Sequence, residues 1–171
     1  LMNSQVHGSE DALAKLACEK ITNYPDVRVL VGGLGLGYTL RAALNELKRD
    51  AEVVVAEIVP EVLEWNQKFL GHLAEHPLED GRVKVQLEDV AEVIKAGRND
   101  YNAIMLDVDN GPQAMFQEGN DWIYTNNGLQ TSFDALRPKG VLSIWSTDPD
   151  PAFTKRLIRT GFKAEEVKVR A

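Results

Sequence analysis

The sequence predicts an α/β fold in which a doubly wound, mostly parallel sheet carries helices on both faces. Two observations lead to it. Five short apolar runs rich in Val, Ile and Leu recur at residues 27–31, 53–56, 83–87, 103–106 and 141–145, and strands buried on both faces need such near-continuous runs. Between them lie segments with helical spacing, so strand and helix alternate as the crossover connections of a parallel sheet require.

The elements follow in chain order. Residues 1–26 form an N-terminal segment with a leading helix, opened by Ser9-Glu10-Asp11 and carried by the Ala- and Leu-rich residues 12–17, which packs on the sheet or roofs the ligand crevice. Residues 27–171 form the ligand-binding part, and the whole chain is expected to be one domain. The first strand, 27–31, runs into a glycine-rich turn and then a helical segment over 38–48. After the strand at 53–56, Pro60 occupies a first-turn position and opens a helix expected to reach residue 75. The strand at 83–87 precedes a helix over 90–96, ended by Gly97. The strand at 103–106 leads into the longest irregular stretch, 109–120, whose length and place after a strand's carboxyl end suit a lid. A helix over 128–136, with Gly140 marking its end, feeds the strand at 141–145; a last helix over 151–160 ends at Gly161. Residues 162–170 read as one more strand, and because such sheets commonly finish in an antiparallel hairpin, a further strand or disordered residues are expected beyond Ala171.

Composition narrows the function classes. The 171 residues are 44% hydrophobic and 26% charged, which excludes disorder and fibrous architectures. No apolar run approaches the ~20 residues needed to span a bilayer, and no basic-then-apolar leader is present, so no membrane partner is expected. Cys18 is the single cysteine and fits a reducing compartment, with cytoplasmic as the expected location. A net charge of −7 argues against a nucleic-acid partner; Lys155, Arg156, Arg159 and Lys163 read as a solvated face. His7, His72 and His76 lack metal-ligand spacing, so no metal is expected.

The chemistry is concentrated at the strand ends. A glycine-rich turn after a buried strand lets backbone approach a ligand, and the following helix N-terminus offers unpaired N–H groups. Gly33, Gly35 and Gly37 depart from the G-x-G-x-x-G spacing of dinucleotide sites, which disfavours a pyrophosphate ligand. Glu57, ending the next strand twenty residues after Gly37, is placed to accept from both hydroxyls of a ribose. Asp89 either meets an adenine amino group or caps the helix that follows it, or does both. Asp107 ends a central strand beside the expected topological switch point, with Asp109 two residues on. Trp122 and Tyr124 follow the expected lid and either line a substrate pocket or anchor a helix entry. Trp65 and Phe69, i,i+4 on one helix, are expected to pack into the core or an interface.

Three segments together resemble the spermidine synthase (polyamine aminopropyltransferase) family: residues 29–41 with Gly32-Gly33-Leu34-Gly35-Leu36-Gly37 followed by Thr39-Leu40-Arg41, then Val55-Ala56-Glu57-Ile58, then residues 101–107 ending in Asp107. Residues 136–142 are similar to that family's later strand entry. The resemblance implies a Rossmann-like fold of the class I methyltransferase type and a donor that is S-adenosylmethionine or its decarboxylated form. It implies Glu57 on the ribose, Asp89 near the adenine and Asp107 beside a reacting small amine, with Asp109 helping to bind the cation. Gly33, Gly35 and Gly37 are expected to cradle the donor, and a homodimer is expected.

The departures from the family pattern are equally specific. Leu36 stands where the family has an aspartate that meets the donor's aminopropyl end, and Asn110 stands where it has a second acid. Only residues 1–26 of the sequence precede the first strand, so the family's N-terminal β domain is not expected within it. Three readings follow: aminopropyl transfer to a small amine, methyl transfer from intact S-adenosylmethionine, or nucleoside binding without turnover.

Overall fold

The computed structural model describes residues 8–107, 121–146 and 148–169. Five parallel strands, β1 (Arg28–Gly32), β2 (Glu52–Ala56), β3 (Val83–Gln86), β4 (Tyr101–Leu106) and β5 (Leu136–Ile144), form one sheet in the order β3-β2-β1-β4-β5. The chain first builds outward from β1 through β2 to β3, then crosses back to β4 on the other flank of β1. The order reverses there, and the crevice at the carboxyl ends of β1 and β4 is the topological switch point.

Helices cover both faces, as the sequence predicts. On one face α1 (Gly8–Glu19) and α2 (Tyr38–Glu46) bury Leu13, Ala14, Ala17 and Leu40 against Val29, Val31, Val53 and Met105. On the other, α4 (Val90–Ala96), α5 (Asp121–Tyr124), α6 (Asn126–Ala135) and α7 (Pro151–Thr160) contribute Ile94, Ile123, Leu129 and Phe153 to a second cluster with Leu30, Val54 and Ile104. Alternate residues of β1 thus serve opposite layers, following the period of two of a strand. The middle strand β4 is buried along its whole length.

Several boundaries differ from expectation. The expected helix over 60–75 is α3 (Pro60–Trp65), which continues as a π turn, Asn66–Leu70, and a 3₁₀ turn, Gly71–Ala74. Gly140 does not end a helix: α6 stops at Ala135 and β5 begins at once, its register with β4 shifting between Tyr101 and Ala103. Pro138 and Lys139 (φ 64°) lie in that irregular stretch, where a strand tolerates a missing donor. Residues 162–169 are not a strand; Phe162 packs edge-on against Phe133 at 5.0 Å, and Val167 and Val169 remain exposed. An alternating sequence becomes a strand only where a neighbour takes its backbone hydrogen bonds, and these residues have none among those described. Trp65 and Phe69 are not core residues either: they are 51% and 66% exposed.

Candidate functional site

The turn between β1 and α2 has positive φ at Gly33 (88°), Gly35 (51°) and Gly37 (85°). At Gly37 any other residue would be strained, and its Cβ would also come within 3.1 Å of Pro77 Cγ. The turn is pinned at both ends: Gly33 N–H donates to Ala56 O at 2.9 Å, and Gly37 N–H to Leu34 O at 2.8 Å.

Glu57 follows β2 and is 7% exposed. Its Oε2 accepts from Leu34 N–H at 3.0 Å and its Oε1 from Val59 N–H at 2.8 Å. Each carboxylate oxygen keeps a second lone-pair direction, so the group has the capacity to accept two further hydrogen bonds without giving up either amide.

Asp107 lies on the other flank of β1. Its N–H donates to Gly32 O at 3.2 Å, which extends the β1–β4 pairing by one residue, and Thr39 Oγ1 donates to its Oδ2 at 2.6 Å. Thr39 is buried in the first turn of α2, so the helix that starts on the glycines also orients this carboxylate. Sequence reasoning assigned Thr39 no such role.

Asp89 caps α4, accepting from Ala91 N–H at 2.8 Å. Trp122 is partly buried, with the Lys95 ammonium 4.4 Å from its ring centroid. Tyr124 is almost fully buried, edge-on to Phe153 at 5.8 Å, and its hydroxyl has no hydrogen-bond partner among the described residues. Burial, and then the nearby Asp107 charge, push that phenol well above its usual range, keeping it a neutral donor. Asp109 and the expected lid over 109–120 lie outside the described residues. Among the described residues no three His, Cys, Asp or Glu side chains come together as a metal site, and no helix is long and apolar enough to cross a membrane.

Asn66 is a second residue that sequence reasoning missed. It is 3% exposed and its Nδ2 donates to Gly35 O at 2.8 Å. The signal was present: Asn66 falls four residues after Val62, on the helix face that packs inward, where a polar side chain needs a partner.

The chain is matched over residues 7–163 by the spermine/spermidine synthase domain. It is 34% identical over 148 residues to a polyamine aminopropyltransferase of Prochlorococcus marinus (strain MIT 9313), covering 79% of this chain and 47% of that protein. The chain thus spans about half the length of the curated relative. Among solved structures, a spermidine synthase in complex with the transition-state analogue AdoDATO superposes with a TM-score of 0.69 at 22% identity, over 90% of this chain and 50% of that one. The human methyltransferase-like protein 13 in complex with SAH gives 0.60 at 22% identity, over 92% and 70%. These likenesses carry the Rossmann-like methyltransferase fold, and with a domain match across nearly the whole sequence the chain belongs to the spermine/spermidine synthase family.

Proposed function

We infer that this chain binds an adenosyl sulfonium donor of the S-adenosylmethionine type across its glycine turn and transfers an aminopropyl group to a small amine. The observation that carries the reading is the placement of two carboxylates on either flank of β1, Glu57 after β2 and Asp107 after β4. From β3 to β4 is three strand spacings, roughly 14 Å, a span that suits adenine, ribose and sulfur laid in sequence across the strand ends. In that pose Asp89 keeps its cap and offers its remaining lone pairs to an adenine amino group, Glu57 holds the ribose, and Gly33, Gly35 and Gly37 leave the backbone room beneath.

A bound sulfonium supplies an electrophilic carbon. The chain's part is to align a neutral amine with that carbon and to receive its proton. Asp107, held by Thr39, accepts the proton the amine nitrogen sheds as its N–C bond forms and the C–S bond breaks, the bonding pair leaving on sulfur. Asp109 supplies a second negative charge for a cationic amine, and Trp122 and the Tyr124 hydroxyl belong to the acceptor pocket. A homodimer is part of the proposal, with exposed Trp65 and Phe69 available to an interface. The family match supports a small-amine acceptor, and the net charge of −7 suits a cation rather than nucleic acid.

Leu36 favours a second reading, methyl transfer from intact S-adenosylmethionine. An apolar residue there anchors no amine and does not repel a carboxylate. Calorimetry with the two donors separates them: markedly tighter binding of decarboxylated donor is expected for aminopropyl transfer, and preference for the intact donor with methylated product overturns it. Equal binding, with no alkylation of putrescine or spermidine, leaves a nucleoside-binding protein without turnover.

A further inference from the structure

The glycine turn rests on a side chain that the proposed chemistry does not use. Asn66 opens the π turn after α3, and its Nδ2 donates both to Val62 O, one turn back, at 2.9 Å and to Gly35 O at 2.8 Å. With both Nδ2 hydrogens committed to carbonyls, the amide can face only one way. Its Oδ1 is buried with no hydrogen-bond partner among the described residues. A Cβ on Gly37 would sit 3.6 Å from that oxygen, so turn and amide are in direct contact. Single π turns are frequent at functional sites, and this one carries the bridge to the turn.

Peptide geometry gives the bridge a consequence. In a trans peptide the carbonyl and the next N–H point in opposite directions. With the Gly35 carbonyl held toward Asn66, the Leu36 N–H is directed away from it. The N–H groups of Gly33, Leu34 and Gly37 are taken by Ala56 O, Glu57 Oε2 and Leu34 O, whereas those of Gly35 and Leu36 meet no acceptor among the described residues.

We propose that Asn66 is a positioning residue for the donor: by holding the Gly35 carbonyl it presents the Leu36 N–H to the carboxylate of an amino-acid tail beyond the donor's sulfur, a group that intact S-adenosylmethionine carries and its decarboxylated form lacks. The proposal rests on the adenosyl reading above. Ribose belongs to Glu57 on one flank and the reacting carbon to Asp107 on the other, so the sulfur and its substituents lie over this peptide.

The test is calorimetry on the full chain, wild type and Asn66→Ala, with S-adenosylhomocysteine and with 5′-methylthioadenosine, which lacks the amino-acid tail. Loss of one well-placed hydrogen bond predicts about tenfold weaker binding of S-adenosylhomocysteine and less than about threefold change for methylthioadenosine. A merely structural role would weaken both alike or neither, and either result overturns the proposal. Should Asn66→Ala fail to fold, Asn66→Ser, too short to bridge both carbonyls, is measured in the same way with the same expectation. A wild-type chain that binds neither compound overturns the adenosyl reading itself and this inference with it, whereas wild-type binding with no tail-dependent loss in the variant overturns the inference alone.

Discussion

Glu57 Oε2 accepts the Leu34 N–H at 3.0 Å, joining the carboxylate that ends one strand to the turn that leaves its neighbour. That contact makes Glu57 part of the fold as well as of the proposed site. In Glu57→Gln one amide oxygen remains for two N–H groups, and the new NH2 faces a donor. Leaving a buried donor unpaired costs about 1–3 kcal/mol, so urea unfolding should show a loss of that order. Adenosine affinity should fall about tenfold or more by calorimetry. A variant with unchanged stability would mean that losing one of the two amide contacts, to Leu34 or to Val59, costs nothing. One destabilised as stated but binding adenosine normally would remove Glu57 from the ribose.

Thr39 separates orientation from binding. Its hydroxyl donates to Asp107 Oδ2 at 2.6 Å. Thr39→Val keeps the shape of this buried side chain and removes the donor, whereas Thr39→Ser keeps the donor. If Asp107 takes the amine proton, single-turnover transfer should slow about tenfold in Thr39→Val and recover in Thr39→Ser, with donor affinity nearly constant in both. Asp107→Asn should lower transfer by about 10²-fold or more and spare donor binding. Unchanged turnover in Asp107→Asn would remove that residue from the chemistry.

The sheet and the positions of Glu57 and Asp107 were legible because they depend on local pattern: β-branched runs mark buried strands, and an acid directly after such a run must emerge at the carboxyl edge. What the pattern did not reveal depends on partners far apart in sequence. Asn66 meets Gly35 across 31 residues and Thr39 meets Asp107 across 68, and no spacing rule encodes either pair. The strand expected over residues 162–170 failed for the same reason, since alternation at Val167 and Val169 describes a strand's faces but supplies no neighbour. The position of Asp89 before α4 suits either a cap or an adenine contact, and the cap is the role its hydrogen bond to Ala91 shows.

Cys18 should be inert. It is fully buried in α1, and burial, aided by the Glu46 charge, pushes its thiol up to about 12. The thiolate is the reactive form, so at pH 8 an aromatic disulfide reagent should label the native chain only as fast as α1 opens, and the urea-unfolded chain at once. Rapid labelling of native protein would show that α1 is not packed as described.

Asp80 and Arg82 give a stability effect confined to acid. Arg82 donates to the Asp80 carboxylate from Nε at 2.9 Å and from a terminal nitrogen at 2.7 Å, and its other terminal nitrogen reaches Leu47 O at 2.9 Å, tying the approach to β3 to the end of α2. These hydrogen bonds hold the Asp80 carboxyl at about 2 against an ordinary 3.8, overcoming the opposing effect of burial. Because the folded value lies below the unfolded one, the unfolded chain takes up this proton first as pH falls. The contribution is therefore complete above about pH 5, declines from about pH 4 and is gone once pH passes below about 2. Both side chains keep solvent contact, at 31% and 18% exposure, so its size is under about 1 kcal/mol. Urea unfolding of wild type and Asp80→Asn across that range should give a gap that is constant near neutrality and closes toward pH 2. A gap of the same size at both ends would assign the effect to packing instead of charge.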